Sequence, residues 1–410
     1  MQNEEQYFVE LFTLGDFYVS DFIHENDKIE RKKYDLTLLL DTKYELVKLK
    51  NIPPKDMMWG KYWYRSGINT TMRKELKNIV DSVLTTIPYN QNDIFLDVAC
   101  NDGTLLGFVP DTFYKVGIDP AEDSFKVESE KVSNLIIQDF FSAKVYNKHL
   151  QEKKAKIITI IAMFYDIESP LKFLDEIYQI MDDEGILVLQ LSYTPLMLQQ
   201  LAFDNICHEH IYYYSLSSLQ NLLIQKKLNI VDVELNDVNG GSFRVYIRKQ
   251  DANPNNFKTA PYRDVANFKI KSLLEYEKSL GLNDPKTYSE FYSRINELKN
   301  ETVEFIKKVK KEGKTIWGYG ASTKGNTLLQ WYGLDNTLID AIADKSSYKH
   351  GSKTIGTNIP IVSEEEMRKN KPDYLLILPW HFVQEFKKRE SNYLESGGKF
   401  IIPCPKFEVF

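Results

Sequence analysis

The chain has 410 residues, of which 43% are hydrophobic and 27% are charged, and its formal net charge is −6. One hydrophobic core stops growing at roughly 250–300 residues, so this length predicts two or three domains. The mild acidic balance argues against a nucleic-acid partner, because neutralising phosphates requires clustered Lys and Arg. No apolar run approaches the roughly 18 residues of a membrane span, and the amino terminus shows no targeting segment. We therefore expect a cytoplasmic protein with no membrane partner.

The three cysteines, Cys100, Cys207 and Cys404, lie far apart in the sequence. Without a CxxC pair, the chain is not expected to form a cysteine-rich zinc module or a disulfide framework. This cysteine usage is typical of proteins in a reducing cytosol.

The first predicted elements form a small amino-terminal part. Two short strands are expected within residues 37–50, and Pro53-Pro54 then breaks the chain. A helix follows from about Asn69 to Leu84, with Thr70 or Thr71 as its cap. Helical spacing predicts that this helix buries Met72, Leu76, Ile79, Val80 and Val83.

From Asp93 onward, short apolar strands alternate with helices. This alternation is typical of a parallel α/β sheet that is covered on both faces. An antiparallel hairpin with its turn at 239–241 follows, then charged helices over 251–312, and then a second α/β unit from Lys314. The sequence therefore predicts an α/β fold with two Rossmann-like units after the small amino-terminal part.

Acidic side chains mark the ends of the first three strands of this α/β region. Asp97 precedes a turn over residues 99–103, Asp119 ends the second strand, and Asp139 with Phe140 follows the third. Turns at the carboxyl ends of parallel strands present backbone N–H groups to ligands. An acidic residue after the second strand can accept hydrogen bonds from both ribose hydroxyls. No complete G-x-G-x-x-G is present, which disfavours NAD.

This layout resembles the S-adenosylmethionine methyltransferase fold, whose first turn usually contains three glycines in the pattern Gly-x-Gly-x-Gly. Only the third glycine is present here, and a Rossmann-like unit without an adenosyl ligand is the alternative. The resemblance implies S-adenosylmethionine as the cofactor. It implies binding by residues at the strand ends, namely Asp97, Ala99, Cys100, Asn101, Gly103, Asp119, Asp139, Phe140 and Ala162.

The segment 203–219 contains the order Cys207-His208-Glu209-His210, followed by three tyrosines. Three interpretations compete. Cys207, His208 and His210 could ligate a metal, although their spacing is unspecific. A histidine bonded to the backbone among core tyrosines would be structural. A histidine oriented by a carboxylate would act as a general base.

This segment is similar to the signature of sugar C-methyltransferases that act on nucleotide-linked 4-keto-deoxysugars. Further matches to that family follow in order along nearly the whole chain, at 63–69, 96–106, 162–170, 239–246, 318–334 and 397–405. The resemblance implies an α/β protein with a central class I methyltransferase domain. It implies a small β-rich amino-terminal domain over 1–68, the methyltransferase domain over 69–250, and a Rossmann-like substrate-binding domain over 251–410.

One departure from the family concerns metal. The amino-terminal domain of the family typically holds zinc on four cysteines, whereas this chain has no cysteine before Cys100. We therefore predict no metal in this domain, which must be stabilised by its apolar and aromatic residues instead.

The resemblance also implies a mechanism. A base removes the sugar C3 proton, which the neighbouring C4 carbonyl makes acidic, and the enolate carbon takes the methyl group. His210 is the predicted base, and Glu209 orients it or shares the role. An exchange of these two roles, or His208 as the base, is an open alternative. Tyr165 or Tyr64 is predicted to donate to the enolate oxygen.

Substrate contacts are expected from the regions on both sides of the methyltransferase domain. A glycine-rich turn at 318–325 enters a helix, offers N–H groups, and is followed in the chain by polar residues suited to a pyrophosphate or sugar. A tight turn without a ligand is the alternative. The predicted substrate-binding residues are Tyr64, Ser66, Tyr319, Ser322, Lys324, Asn326 and Trp380.

The expected partner is therefore a small-molecule nucleotide sugar, bound by a monomer or a weak homo-oligomer. Two other functions fit the same residues less specifically. One is methylation of oxygen or nitrogen in a related sugar or phosphate precursor. The other is a methyltransferase-like binding protein without activity.

Overall fold

The computed structural model describes residues 7–27, 31–59, 64–257 and 263–410. Trp63, the first residue of the 63–69 match, lies outside these ranges. The described residues form a four-stranded, a seven-stranded and a six-stranded sheet, together with an isolated pair of strands. The α/β class predicted from the sequence is confirmed.

The amino-terminal sheet is antiparallel. Its part of the chain contains β1 (Phe8–Tyr18), β2 (Phe22–Ile23), β3 (Lys33–Asp41), β4 (Leu46–Leu49) and the short helix α1 (Lys55–Trp59). The two strands expected within 37–50 are confirmed as the end of β3 and β4, which pair with each other. Leu36, Leu38 and Leu40 alternate along β3 and are fully buried, so this sheet has one apolar face.

The central region contains the seven-stranded sheet and the helices that cover it. Its elements are α2 (Thr70–Leu84), β5 (Ile94–Val98), β6 (Tyr114–Ile118), α3 (Asp123–Glu130), β7 (Leu135–Ile137), α4 (Ala143–Leu150), β8 (Ala155–Ile161), α5 (Pro170–Ile180), β9 (Met181–Ser192), α6 (Thr194–Gln199), β10 (Tyr212–Tyr213), α7 (Leu216–Ile224), β11 (Leu228–Asn236) and β12 (Ser242–Lys249).

The strand order of this sheet is β11-β12-β9-β8-β5-β6-β7, in which β12 is antiparallel to both neighbours and β5 to β9 are parallel. From β5 the chain proceeds outward through β6 and β7, and it then returns to β8 on the other side of β5. The order therefore reverses between β5 and β8. Such a reversal opens a cleft at the carboxyl ends of the strands, where α/β proteins bind ligands.

Helix α2 buries the five residues that its periodicity predicted. The predicted cap was wrong, because Thr70 and Thr71 already lie in the first helical turn. The cap is Asn69, whose side chain accepts a hydrogen bond from the backbone N–H of Met72 at 3.0 Å. An Asn side chain at this position satisfies one of the free N–H groups of the helix end.

The carboxyl-terminal region begins with two long helices and ends in the six-stranded sheet. Its elements are α8 (Arg263–Leu280), α9 (Pro285–Lys311), β13 (Ile316–Tyr319), α10 (Thr323–Tyr332), β14 (Ile342–Asp344), β15 (Lys353–Thr354), β16 (Ile361–Ser363), α11 (Glu364–Asn370), β17 (Tyr374–Ile377), α12 (Val383–Arg389), α13 (Ser391–Glu395), β18 (Lys399–Ile402) and β19 (Glu408–Val409). We refer to residues 314–410 as the carboxyl-terminal unit. Among the helices that the structure describes, none is both long and apolar enough to cross a bilayer.

The sheet of the carboxyl-terminal unit has the order β16-β14-β13-β17-β18-β19. Strands β14 and β17 both run parallel to β13, one on each side of it. The order therefore reverses beside β13, so this unit has a second cleft at its strand ends.

Two strand pairings join the three parts of the chain. Strand β10 of the central region pairs with β4, placing Tyr212 opposite Lys48, and β15 of the carboxyl-terminal unit pairs with β2. One hydrophobic core cluster contains leucines of β3, residues Phe203 and Ile206, and the strands of the carboxyl-terminal unit. The residues between α6 and β10 are thus packed between the amino-terminal sheet and the carboxyl-terminal unit.

Glu277 on α8 holds the start of α7. It is 2% exposed, and one of its oxygens accepts from the Tyr193 hydroxyl and from Leu216 N, both at 2.6 Å. Its other oxygen accepts from Ser217 N at 2.8 Å. A carboxylate at a helix amino terminus satisfies free N–H groups and favours the helix dipole. This contact stabilises the chain just after β10.

We expect Glu277→Gln to destabilise the protein by about 2–3 kcal/mol, because charge-assisted hydrogen bonds from buried donors would be lost. Urea denaturation followed by tryptophan fluorescence measures the change. Glu275→Gln on the exposed face of the same helix is the matched control and should change the stability by less than about 0.5 kcal/mol. Equal effects of the two substitutions would contradict this role of Glu277.

Candidate active site

The turn over residues 99–103, which we call the cofactor turn, follows β5 at the strand-order reversal. Its backbone is left-handed at Ala99, Asn101 and Gly103, with φ of 61°, 52° and 76°. This conformation costs an alanine about 1 kcal/mol, whereas glycine adopts it freely and asparagine is enriched there. At Gly103 a Cβ atom would lie 2.6 Å from the Cα of Ser129. The chain thus keeps the shape of a glycine-rich turn with a single glycine.

Asp119 follows β6 and fixes the cofactor turn. One of its oxygens accepts from Asn101 N at 2.7 Å, and the other accepts from Ala121 N at 2.8 Å. Burial raises the pKa of Asp119, while these two backbone donors oppose the rise. A carboxylate has about four lone-pair sites, so Asp119 can accept further hydrogen bonds from hydroxyl groups of a ligand.

The other predicted cofactor residues surround this turn at different depths. Asp97 is 4% exposed and accepts from the Thr159 hydroxyl at 2.6 Å; burial raises its pKa to about 7. Asp97 therefore lies beneath the turn and joins β5 to β8. Phe140 is 54% exposed beside the exposed Asp139, and Ala162 follows β8 with φ of 54°. A turn of N–H groups, an acceptor and an exposed aromatic ring fit an adenosyl ligand.

The residues before α2 cross over the cofactor turn. Ser66 N donates to the side-chain oxygen of Asn101, and Asn101 Nδ2 donates to the carbonyl of Tyr64, both at 3.0 Å. Gly67 N donates to Asp102 at 2.8 Å. The Tyr64 side chain is 40% exposed. The structure thus brings Tyr64 and Ser66, both predicted to contact the substrate, to the edge of the cofactor turn.

Residues 203–211, which we call the base segment, form a second wall of the site. Residues 203–209 are all buried, and His210 is partly exposed. The Nδ1 atom of His210 lies 2.9 Å from the carbonyl oxygen of Asn205. Because a carbonyl only accepts, Nδ1 holds the proton of the neutral ring and Nε2 keeps its lone pair. Burial, and then the charge of Lys324, lower the pKa of His210 to about 3, so the ring is neutral at pH 7.

The partner that orients His210 differs from the one suggested by the sequence. The Nδ1 atom is bonded to the Asn205 carbonyl, whereas Glu209 was expected to orient the ring. The other neighbour of the ring is Tyr165, with 4.3 Å between ring centroids. Asn205 was missed at the sequence level because a backbone carbonyl leaves no mark in residue identity.

Two carboxyl groups belong to the chain neighbours of His210 and Tyr165, namely Glu209 and Asp166. Glu209 is 8% exposed, and one oxygen each of Glu209 and Asp166 is buried without a hydrogen-bond partner in the structure. Burial raises the pKa of Glu209 to about 7, and burial followed by the charge of Glu209 raises the pKa of Asp166 well above its usual range. Burial thus favours the protonated form of both carboxyl groups. Asp166 was not among the predicted site residues, although it lies in the turn after β8.

His208 points away from this group. Its Nε2 atom lies 3.0 Å from the carbonyl oxygen of Tyr34 on β3, and the side chain is 1% exposed. Burial lowers the pKa of His208. The residue therefore bonds the base segment to the amino-terminal sheet, and the structure does not place it beside His210.

Among the residues that the structure describes, no group of three or more His, Cys, Asp or Glu side chains is placed to hold a metal ion. The structure therefore gives no support to the metal interpretation of Cys207, His208 and His210. The expectation for the amino-terminal domain, part of which lies outside the described ranges, is still a prediction.

Two family models match the chain, a methyltransferase domain over residues 68–233 and a C-methyltransferase C-terminal domain over residues 237–405. The first includes the cofactor turn and the base segment. The chain is an S-adenosylmethionine-dependent methyltransferase. Its cofactor is S-adenosylmethionine, as predicted from the sequence.

The methyltransferase is similar to the C-methyltransferase NovU of Streptomyces niveus, with 28% identity over 386 residues that cover 94% of this chain and 90% of that protein. It is 23% identical over 170 residues to a malonyl-[acyl-carrier protein] O-methyltransferase of Marinomonas sp. (strain MWYL1), covering 40% of this chain and 62% of that protein. A solved S-adenosylmethionine-dependent methyltransferase from Clostridium acetobutylicum ATCC 824 is 14% identical, covering 45% and 93% of the two chains, with a TM-score of 0.34. The similarity to a C-methyltransferase supports methyl transfer to carbon.

Two predicted substrate residues of the carboxyl-terminal unit of the methyltransferase contact the central region. Lys324 Nζ donates to the Asn205 side chain at 2.5 Å and to the Asn239 carbonyl at 3.2 Å. Trp380 Nε1 donates to Asp204 at 3.1 Å, and its ring covers Gly240, where a Cβ atom would lie 3.2 Å away. Lys324 and Trp380 thus lie against the residues that surround His210.

The other three predicted residues of this unit are engaged elsewhere. The Tyr319 hydroxyl lies within hydrogen-bonding distance of two carboxyl groups inside the unit, those of Glu364 and Glu390, and the residue is 1% exposed. The Ser322 hydroxyl accepts from Gly325 N and caps α10. Asn326 donates to the carbonyl of Asp21 in the amino-terminal part. The structure does not bring these three side chains to the base segment.

We expect Asp119→Asn to weaken S-adenosylmethionine binding about 10-fold or more, because a charged acceptor and one of its two backbone bonds would be lost. Isothermal titration calorimetry measures the dissociation constant. Asp251→Asn, on an exposed residue away from the site, is the control. A dissociation constant within twofold of the wild-type value would show that Asp119 does not contribute to the cofactor site.

The raised pKa of Glu209 predicts a pH-dependent loss of stability. Because its folded pKa of about 7 exceeds the usual 4.5, its contribution is complete below about pH 4.5 and is lost as the pH rises through 7. Glu209→Gln should therefore gain stability relative to wild type between pH 4.5 and 8, by up to about 3 kcal/mol.

Urea denaturation at both pH values measures this difference, and Glu168→Gln at an exposed position is the control. The same wild-type-to-variant difference at pH 4.5 and at pH 8 would contradict the raised pKa.

Proposed function

We propose that this methyltransferase transfers a methyl group to C3 of a nucleotide-linked 4-keto-deoxysugar through an enolate, with His210 as the base. The observation on which the proposal depends is the state of His210. Its ring is neutral, its Nδ1 proton is donated to the Asn205 carbonyl, and it is the first partly exposed residue after a buried segment. The ring can therefore accept a proton at Nε2 only.

A base is required because carbon, unlike oxygen or nitrogen, has no lone pair with which to attack a methyl group. The similarity to the C-methyltransferase NovU supports a carbon acceptor. A carbonyl next to that carbon makes its proton acidic, since the electron pair left behind delocalises onto oxygen. The sugar and its nucleotide are inferred from the sequence signature at 203–219.

The proposed reaction begins when His210 Nε2 takes the C3 proton. The C–H electron pair forms a C3–C4 double bond, and the carbonyl π pair moves onto the C4 oxygen. Tyr165, whose ring contacts His210, is the proposed donor to that oxygen. Bound S-adenosylmethionine supplies an electrophilic methyl group, which C3 takes up with release of S-adenosylhomocysteine as the C4 carbonyl forms again.

The proton then has a route away from His210. The pKa of Glu209, about 7, is higher than that of the imidazole, about 3, so transfer of the proton to ionised Glu209 is downhill. We propose that Glu209 shares proton transfer with His210 in this way. The cofactor is held by the turn over 99–103, with Asp119 as the proposed acceptor for its ribose and Phe140 beside its adenine.

The experiment that tests the function follows deuterium and methyl label separately. With nucleoside-diphosphate-linked 4-keto-6-deoxyhexoses in heavy water, NMR should show deuterium entering C3 without the cofactor, and labelled S-adenosylmethionine should then methylate C3. His210→Gln should lower both rates by about 10²–10⁴-fold and leave cofactor affinity within about threefold.

His149→Gln, on the exposed side of α4, is the matched control and should retain both activities. Methyl label found on oxygen or nitrogen, without exchange at C3, would exclude the enolate reaction. Full exchange and transfer by His210→Gln would exclude His210 as the base.

A further inference from the structure

We infer that Lys324 is a catalytic residue of the methyl-transfer site, where its ammonium group stabilises the enolate oxygen of the substrate. This inference rests on the proposed function. The glycine-rich turn suggested a contact with the pyrophosphate or the sugar. The inference selects the sugar and assigns Lys324 to the chemical step itself.

The position of Lys324 supports this role. The side chain is partly buried at the start of α10 and extends to the central region, where it donates to Asn205 Oδ1 and to the Asn239 carbonyl. Asn205 is also the residue whose carbonyl holds Nδ1 of His210. The ammonium group and the proposed base are therefore fixed by the side chain and the backbone of one buried residue.

Lys324 retains the capacity to bind one more acceptor. An ammonium group has three N–H donors, and the two bonds above use two of them. Both acceptors are neutral, and among the residues that the structure describes no carboxylate lies within 4 Å of Nζ. Burial lowers the pKa of Lys324, while Asp204 and Cys207 oppose this at longer range. A partly buried cation without an ion-pair partner attracts a negatively charged ligand atom.

The other residues that were expected to bind a phosphate with Lys324 are bonded elsewhere. A phosphate site at this turn would need several donors, yet the hydroxyl of Ser322 caps α10 and that of Tyr319 is bonded to carboxylates. The Asn326 side chain faces the amino-terminal part. Of the four residues predicted to contact the substrate at this turn, Lys324 is the one whose side chain is bonded to the base segment. In the proposed reaction, a negative charge forms on the C4 oxygen, next to the carbon from which His210 takes the proton.

A second side chain of the carboxyl-terminal unit, that of His381, also has unused hydrogen-bonding capacity. The Nδ1 atom of His381 is buried and has no hydrogen-bond partner in the structure. Burial and then the charge of Lys324 lower the pKa of His381 well below its usual range. The carboxyl-terminal unit thus contributes a cation that is bonded to Asn205 and, next to Trp380 in the chain, a buried ring nitrogen without a partner.

The charge of Lys324 couples the proton affinity of His210 to the formation of the enolate. In the free enzyme, burial and then this charge keep His210 unprotonated. When the enolate oxygen pairs with the ammonium group, that repulsion falls and His210 holds the C3 proton more strongly. Stabilisation that develops in the transition state but not in the ground state accelerates the chemical step. The titratable groups of this cluster are Tyr165, Asp166, Asp204, Cys207, Glu209, His210, Lys324 and His381.

Kinetics of Lys324→Met and Lys324→Arg test the inference, with Lys369→Met at the exposed end of α11 as control. Losing one donor to a developing oxyanion lowers rates about 10²–10³-fold. Lys324→Met should therefore lower C3 deuterium exchange and kcat by this factor while the dissociation constant of the nucleotide sugar stays within about threefold. Lys324→Arg should recover part of the rate.

A raised dissociation constant with unchanged kcat and exchange would instead identify Lys324 as a phosphate contact and overturn the inference. Failure of the proposed function gives a different result, because the wild-type enzyme itself would then show neither exchange at C3 nor methyl transfer to carbon. That result would overturn both the proposed function and the role of Lys324.

A measurement without substrate separates the charge from folding. In ¹⁵N-histidine NMR spectra, Lys324→Met should raise the pKa of His210, because a positive charge beside the ring is removed, and should keep the Nδ1–H tautomer. The Lys369→Met spectrum should match that of the wild type. An unchanged His210 titration in Lys324→Met would overturn the inference, whatever the kinetics show.

Discussion

The site depends on Asn205, whose backbone and side-chain carbonyl groups bond two different residues of the site. Its backbone oxygen selects the tautomer of His210, and its side-chain oxygen accepts from Lys324 of the carboxyl-terminal unit. Because the residue is 1% exposed, these bonds form where water does not compete, and both depend on the same backbone position. The state of the proposed base is therefore tied to the docking of the carboxyl-terminal unit.

The base segment is held in place by the parts of the protein on both sides of it. The base segment is bonded to the amino-terminal sheet through His208 and Tyr34, and β10 continues that sheet directly after it. On its other side, Trp380 bonds Asp204 and lies on Gly240. A segment whose regular structure is limited to one short 3-10 helix, Phe203–Asn205, has little local stability. Its geometry is supplied by the two parts that flank it.

The two α/β sheets use one hydrogen-bond pattern at equivalent places. Asp119 accepts from Asn101 N in the turn after β5, and Asp344 accepts from Ala321 N in the turn after β13, each at 2.7 Å. Each aspartate also accepts from the backbone N–H two residues further on. An acidic residue after the second strand can thus hold the first turn in shape without a full set of glycines, as the single Gly103 illustrates.

Sequence periodicity predicted most of the fold, because burial determines where apolar residues recur. The α2 face and the alternation of strands and helices follow from that rule, and the strand-end rule placed Asp119 beside the cofactor turn. The direction of polar side chains in the site was less predictable. Tyr319 and Lys324 are five positions apart in one motif. The Tyr319 hydroxyl is bonded to a carboxyl group inside the carboxyl-terminal unit, whereas the Lys324 side chain is bonded to the base segment.

That difference arises from contacts between residues far apart in the chain. Glu390, which accepts from Tyr319, is 71 positions away, and Asn205 is 119 positions before Lys324. No local pattern encodes such partners, since hydrogen-bond donors choose among acceptors that the tertiary fold brings together. A motif therefore identifies which groups are available for chemistry, whereas the packing of the three parts decides which of them face His210.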